Sequence, residues 1–244
     1  MAFPDFAPIG ALIADPTRAA MLAELIDGHV LTAGELAART GVTAQTASWH
    51  LAKLVDGGLL VVVSQGRHRY HRLAGPHVAE ALEGLGVLAP EPEARTSFER
   101  EVLTGLRFAR SCYGHLAGQL AVAMRDRFLA MGLVVPAGLE HEVTPPGESW
   151  FGRIGVDVQA ARATRRSFAR ACIDWSERRP HIAGALGDAL LAALVERGWI
   201  LCHTGERAVE LTEAGRVWFT RSVGLDLADL PARASSSAKS AELA

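Results

Sequence analysis

The chain has 244 residues, 49% of them hydrophobic, with 25 Lys and Arg against 27 Asp and Glu. That length predicts two domains with enough apolar side chains for sizeable cores. The formal charge of −2 excludes a broadly basic protein, so affinity for nucleic acid must come from a local patch. Three cysteines, an odd number without framework spacing, point to a reducing compartment. The N-terminus MAFPDFAPIG lacks a charged region followed by a long apolar run, and no apolar stretch is as long as a membrane span. A cytoplasmic protein is expected.

In chain order, the first element is a helix over ADPTRAAMLAELIDG, with Asp15 as N-cap and Pro16 at the first helical position, where proline's missing N–H costs nothing. Thr32 and Glu35 form a T-x-x-E capping box for the next helix. Leu36 and Ala37 are its buried positions, Gly41 supplies the reversal and Val42 plugs the turn. Thr43 is a further N-cap. The helix it opens runs to about Val55, with Ala47, Leu51 and Leu54 at i, i+4 and i+7 on the buried face. Gln45, Thr46, Ser48, Trp49 and Lys53 lie largely elsewhere. A merely solvated helix would be rich in Glu and Lys. This one carries Gln, Thr, Ser and His, which can read base edges.

Asp56, Gly57 and Gly58 end that helix. Leu59 to Val63 is a β-branched apolar strand, Ser64-Gln65-Gly66 turns it, and Arg67 to Leu73 returns as RHRYHRL. Strand period two puts bases on both faces near the tip. Charged edges can simply protect a hairpin from pairing with other chains, but here helix pair and hairpin occur together and in order.

Residues 8–88 resemble the ArsR family of winged-helix repressors. The resemblance rests on the upstream helix, on HLAKL at His50 to Leu54, and on the wing GRHRYHRL. It implies a homodimer whose recognition helices enter successive major grooves of an imperfect inverted repeat in double-stranded DNA. The outer helices would form the dimer interface: the one before Gly28 and the one from Pro76 to Leu88, with its stripe Val78, Leu82 and Leu85. Gln45, Thr46, Ser48, Trp49 and His50 are the candidate base-facing residues. Lys53, Arg67 and Arg69 would hold phosphates, and Thr43, Gln65 and His68 complete the expected DNA-binding set.

Many members of that family sense metals, but the matching positions here lack the ligands. Thr32 and Gly34 stand where one group has a Cys-x-Cys pair, and Lys53 and Gly57 where another has recognition-helix cysteines. On the last helix only His77 is offered where a third has Asp and His ligands. Soft or borderline metals need thiolates and imidazoles, so these three sites are expected to be absent.

Ala89-Pro90-Glu91-Pro92-Glu93 reads as an extended linker, with residues 89–97 joining the two domains. Beyond it the sequence repeats. Phe108-Ala-Arg-Ser-Cys112 recurs as Phe168-Ala-Arg-Ala-Cys172, and His115-Leu-Ala-Gly118 as His181-Ile-Ala-Gly184. Glu142-Val-Thr144 with Gly147, Trp150 and Phe151 recurs as Glu210-Leu-Thr212 with Gly215, Trp218 and Phe219. The expectation is a tandemly duplicated helix–hairpin–helix domain over 98–230, in copies of about 98–160 and 161–230. In each copy a long helix carries the Cys and the His-x-Ala-Gly segment. A hairpin follows, Leu133 to Val135 with His141 to Val143 and Trp199 to Cys202 with Ala208 to Leu211, and then a Thr-capped helix. Residues 231–244 are expected to be disordered.

Neither copy has a polar recognition helix, so a ligand-binding or dimerisation role is expected. Cys112 and His115 would share a helix face, while Cys172 and His181 are nine apart. If a pseudo-dyad joins the copies, the four make a Cys2His2 set suited to zinc-like ions. The alternatives are small buried cysteines with locally bonded histidines, or a redox pair, Cys112 with Cys172. The favoured expectation is an organic effector between the copies, lined by the insertion Asp174 to Arg179 with Trp175 as an aromatic wall. A dimerisation module without ligand stays open.

Enzyme motifs are missing: no G-x-G-x-x-G after a strand, no G-x-x-x-x-G-K, no H-E-x-x-H and no G-x-S-x-G. The reading is therefore a non-enzymatic, mainly α protein with small β-hairpins (α+β), headed by a winged helix-turn-helix. It is a dimeric, DNA-binding repressor released by an effector, with no cofactor unless the metal alternative holds. A winged helix used only for dimerisation or adaptor contacts is the reading from another class, and Arg67, His68 and Arg69 oppose it.

Overall fold

The computed structural model describes residues 4–26, 28–90, 92–94, 96–203, 206–228 and 230. The expected disordered tail and part of the linker lie outside these. The chain divides into two compact units, Met1–Leu82 and Glu83–Ala244.

In the first unit α1 (Ala7–Ile13) precedes α2 (Pro16–Leu25), whose N-cap is Asp15, accepting from Arg18 N–H. Arg18 reaches back to the carbonyls of Leu12 and Ala11, both at 2.7 Å, and so satisfies carbonyls that the end of α1 leaves without intrahelical donors. α3 (Ala33–Thr40) opens with the full Thr32–Glu35 capping box and closes on Gly41 at φ +68, the left-handed position that glycine fills without strain. α4 (Ala44–Asp56) follows with Thr43 as its cap. β2 (Leu60–Gln65) and β3 (His68–Leu73) form the wing, and a two-residue strand β1 (Leu31–Thr32) pairs with β3 to give the order β1-β3-β2. Met21, Leu22, Leu25, Leu36, Ala47, Leu51, Leu54, Leu60 and Leu73 make the core, each large side chain contributing roughly 1.5–3 kcal/mol. α5 (Pro76–Leu88) leads out of this unit.

One feature corrects the sequence reading: a short helix, α1, precedes the expected first one, and it buries none of its residues. α2 turns Met21, Leu22 and Leu25 into the core.

The second unit opens with α6 (Ser97–Phe108), capped by Thr96 and Glu99. Each half then has the order hairpin, helix, hairpin, helix. The first half has β4 (Arg110–Cys112), β5 (His115–Ala117), α7 (Gln119–Ala130), β6 (Val134–Ala137), β7 (Glu140–Val143), α8 (Pro145–Arg153) and α9 (Val158–Arg162). The second has β8 (Ala171–Ile173), β9 (Pro180–Ile182), α10 (Gly184–Glu196), β10 (Ile200–Cys202), β11 (Val209–Leu211), α11 (Glu213–Trp218) and a π-helical turn, Phe219–Val223. All the hairpins are antiparallel.

The halves interlock. α7 packs on β9 and α10 on β5. Ser111 N–H donates to Arg207 C=O (2.9 Å), and Ala171 N–H to Leu139 C=O (2.8 Å). Their shared core includes Phe128, Phe151, Phe219, Leu120, Leu186, Leu194 and Ile200, with Phe128 edge-on to Trp150 and Phe151, both centroids at 5.2 Å.

The long helix expected to carry Cys and His is absent. The helix stops at Phe108 because Ala109 turns extended, at φ −154. Tyr113 and Gly114, at φ +54 and +143, then turn a tight hairpin. The glycines of the His-x-Ala-Gly segments have a packing cause. Gly118 sits at φ +91, and a Cβ there would lie 2.8 Å from the Arg107 carbonyl, while at Gly184, φ +76, it would strike the Ser167 carbonyl.

Candidate functional site

In the first unit α4 turns Ala47, Leu51 and Leu54 inward. The opposite face leaves Gln45, Thr46, Ser48, Trp49 and Lys53 exposed, together with the cap Thr43. Thr43 Oγ1 lies 2.9 Å from Thr46 Oγ1 and accepts from Thr46 N–H, and Ser48 Oγ donates to the Ala44 carbonyl at 2.8 Å. Those hydroxyls therefore keep only part of their bonding capacity for a ligand. Gln45 is exposed at the N-terminal turn of α4, the part of such a helix that meets base edges. Trp49 is 55% exposed, with Lys53 Nζ 4.0 Å from its ring centroid. This cation–π contact holds the ammonium over the same face.

At the wing tip Gln65, Arg67, His68 and Arg69 are all exposed, and Gly66 turns the hairpin at φ +58. The register sets Gln65 against His68 and Ser64 against Arg69. Lower on β3, His71 is buried, and that burial holds its imidazole pKa below the ordinary value.

His50 departs from the expected DNA-binding set. It is buried, with Nδ1 3.5 Å from Asp15 Oδ1, and its ring meets Trp49 edge-on at 4.8 Å. It ties α4 to the start of α2 and is not offered to a ligand. The helical period explains this, because residue 50 stands at i+3 from Ala47 and i−4 from Leu54, on the inward stripe.

In the second unit Cys112, His115, Cys172 and His181 come together. They do so across two hairpins, not along helices: Cys112 pairs with His115 across β4–β5, and Cys172 with His181 across β8–β9. The separations of three and nine residues thus become the same cross-strand relation. All four side chains are buried, and their sulfur and nitrogen atoms lie within 4.8 Å of one another. The Nε2 atoms of His115 and His181 are 3.1 Å apart, with the rings stacked. Hydrogen bonds from the Cys112 thiol and from both histidines hold the Cys172 thiol well below its usual pKa, against the effect of burial. Cys112, on the other side of that shared proton and deeply buried, is pushed up. Burial lowers His115.

Asp174 stands behind His181, with Oδ2 3.8 Å from its Nδ1. The carboxylate is wholly buried. Oδ2 accepts from Arg110 at 3.0 Å and from Gly118 N–H at 2.7 Å. Oδ1 accepts from Ser176 N–H, Ser176 Oγ–H and Glu177 N–H. Arg110, also wholly buried, reaches Glu83 as well, at 3.6 Å, and Trp175 covers it at 4.8 Å. The Asp174–Arg179 insertion therefore braces the cluster through Asp174, Ser176 and Glu177. A cavity of about 410 Å³ lies elsewhere between the halves, lined by Trp150, Arg153, Ile154, Arg197, Trp199, Trp218 and Ser222. Trp199 and Trp218 are stacked there at 4.0 Å. Sequence reasoning saw Trp150 and Trp218 as repeated residues and missed the cavity. Its walls come from segments far apart in the chain, so no local pattern announces it.

Comparison with known proteins agrees with the first unit's geometry. A family model described as "Helix-turn-helix domain" matches residues 13–63. The chain is 40% identical over 224 residues to the HTH-type transcriptional regulator YdfF of Bacillus subtilis (strain 168), which spans 92% of this chain and 99% of that protein. It is 43% identical over 79 residues to the HTH-type transcriptional regulator CmtR of Mycobacterium bovis, 32% of this chain and 66% of that protein. Among solved structures it is similar to the homodimeric winged helix-turn-helix DNA-binding domain of Mb0332 from M. bovis, described as a possible ArsR-family transcriptional regulator. There the identity is 28% over 39% of this chain and 96% of that one, with a TM-score of 0.34. Among the described residues no helix is long and apolar enough to cross a membrane. The chain belongs to the HTH-type transcriptional regulators, and its N-terminal unit carries their helix-turn-helix.

Proposed function

We propose that this regulator is a homodimeric repressor that reads an imperfect inverted repeat through α4 and steadies itself on phosphates through the wing, releasing DNA when an effector binds its C-terminal unit. The observation that supports this most is the division of α4 into a buried Ala47–Leu51–Leu54 stripe and an exposed Gln45–Thr46–Ser48–Trp49–Lys53 face, beside a wing tip of Arg67, His68 and Arg69. Gln45 and Thr46 contact base edges, and Lys53, Arg67 and Arg69 contact phosphates. Phe6 at the N-cap of α1, Ile9 within it, and Leu85 and Leu88 on α5 leave apolar surface in water, which a second copy would cover.

For the C-terminal unit we propose an origin by duplication, supported by the common element order of its halves and by the matched caps Thr144 and Thr212. The cavity at Trp150, Trp199 and Trp218 suits a planar organic effector, with Arg153 and Arg197 favouring an anionic one. A second reading, a metal- or thiol-responsive repressor, is favoured by the buried Cys112–His115–Cys172–His181 cluster.

Selection of binding sites from random duplexes tests the proposal. The enriched sites should carry two half-sites in inverted order, one helical turn or a multiple apart. Enrichment of a single unsymmetrical site, or none at all, contradicts it.

A further inference from the structure

We propose that Cys112, His115, Cys172 and His181 form a closed, four-coordinate site for one zinc-like divalent ion in each chain. The proposal deepens the second reading above, but binding of the ion does not depend on the protein's acting on DNA.

Donor type is the first argument. Two thiols and two imidazoles are the set that borderline ions prefer over oxygen-seeking ones. Geometry is the second. A tetrahedral ion with bonds of about 2.3 Å to sulfur and about 2.0 Å to nitrogen spaces its ligand atoms by roughly 3.3–3.8 Å. The four donors already lie within 4.8 Å of one another, and the two Nε2 atoms within 3.1 Å. The site closes by small rotations of side chains fixed on two short hairpins.

Charge is the third argument. The ion takes both cysteines as thiolates and both imidazoles as neutral ligands, and any thiol proton still held leaves to solvent. Two thiolates then balance two positive charges. The product is neutral and can sit where all four side chains are at most 5% exposed without burying net charge. Among the described residues nothing hydrogen-bonds to His181 Nδ1, and Asp174 Oδ2 stands 3.8 Å from it. It is the carboxylate on the outer side of the ring, and closing that gap to hydrogen-bond distance on metal binding would fix the tautomer and leave Nε2 as the ligand. Asp174 is therefore a positioning residue. Four protein ligands leave no open coordination position, which marks a structural or sensing site and not a catalytic one.

The test uses the full chain, reduced and stripped by chelator, titrated with Co2+ as a coloured probe and then with Zn2+. The expected result is one equivalent of Co2+ per chain. Its visible spectrum should be tetrahedral with thiolate charge transfer, and Zn2+ should abolish it. Cys112→Ser and Cys172→Ser should weaken Co2+ binding by at least 100-fold, and Asp174→Asn by about 10- to 100-fold. Because a buried ligand variant can fail to fold, X-ray absorption of the zinc-loaded wild-type chain gives a reading without mutation. Two sulfur and two nitrogen neighbours are expected. An octahedral spectrum, a coordination shell without sulfur, or oxidation of Cys112 with Cys172 without uptake of metal overturns the proposal. Failure of DNA binding in a chain that binds Co2+ in this way counts against the regulatory reading alone.

Discussion

Asp174→Asn isolates the brace behind the cysteine–histidine cluster. The carboxylate accepts two hydrogen bonds at Oδ2 and three at Oδ1, every donor being an N–H or O–H. An asparagine must point its NH2 at one of those sets, so donors face donors whichever way the amide turns. The change also takes the nearest anion from Arg110, which is wholly buried. Breaking a buried pair costs about 3–5 kcal/mol. Glu83, 3.6 Å from the same guanidinium, offsets part of this, so we expect about 3 kcal/mol. For a unit of this size that lowers Tm by roughly 6–12 °C. Calorimetry of the reduced, chelator-treated chain reads it, with the exposed Asp226→Asn as control. Burial alone would raise the Asp174 pKa, but Arg110, Ser176, His181 and Gly118 together hold it below the usual value. A depressed carboxyl stabilises above the unfolded pKa, about 3.9, and the benefit fades as pH falls through the folded value. The gap between wild type and Asp174→Asn should therefore narrow in acid. A loss under about 0.5 kcal/mol at neutral pH would refute the reasoning, since that is what unremarkable surface changes give.

Further expectations follow from the same packing. Gly147→Ala and Gly215→Ala would each drive a Cβ into a carbonyl, of Leu133 and Trp199 respectively. Both should unfold or severely destabilise the C-terminal unit in thermal melts, and near-wild-type Tm values would show the packing to be wrong. Thr32→Ala removes half of a capping box and should cost the N-terminal unit about 1 kcal/mol in urea titration, against no change if water replaces the cap. Burial holds His71, His115 and His141 below the ordinary imidazole pKa. The unfolded chain then takes up protons first, so stability should fall as pH drops from about 6.5. Equal Tm at pH 7.5 and 5.5 would mean that these rings are not buried in neutral form.

The winged helix was legible because its signals are local. The Thr32–Glu35 box, Gly41, the Thr43 cap and the Ala47–Leu51–Leu54 stripe each act within one or two turns of the chain, and each recurs in the structure. His50 was misplaced because residue type, a polar imidazole, was weighed above its position on the inward stripe. Repeated residues in the C-terminal unit pointed to Cys112, His115, Cys172 and His181, which do come together, but the element that carries them was misread. A three-residue spacing fits a helix face as well as a two-residue hairpin turn. What decides between them is the left-handed backbone at Tyr113, which composition does not advertise. The bracing of Asp174 by Arg110 spans 64 positions, and the Trp150–Trp199–Trp218 cavity depends on the interlocking of the halves. Neither has a local signature.

The claim that α4 reads bases while the wing holds phosphates is decided by the affinity of wild type, Gln45→Ala and Arg67→Ala for a selected inverted-repeat duplex and its single-base variants across a salt series. Gln45→Ala should lose about 1–3 kcal/mol per half-site, confined to one pair of symmetry-related positions, with the salt slope unchanged. Arg67→Ala should weaken all duplexes alike and reduce the slope by about 1 per half-site. An equal loss on every sequence for Gln45→Ala, with an unchanged slope for Arg67→Ala, would contradict the claim.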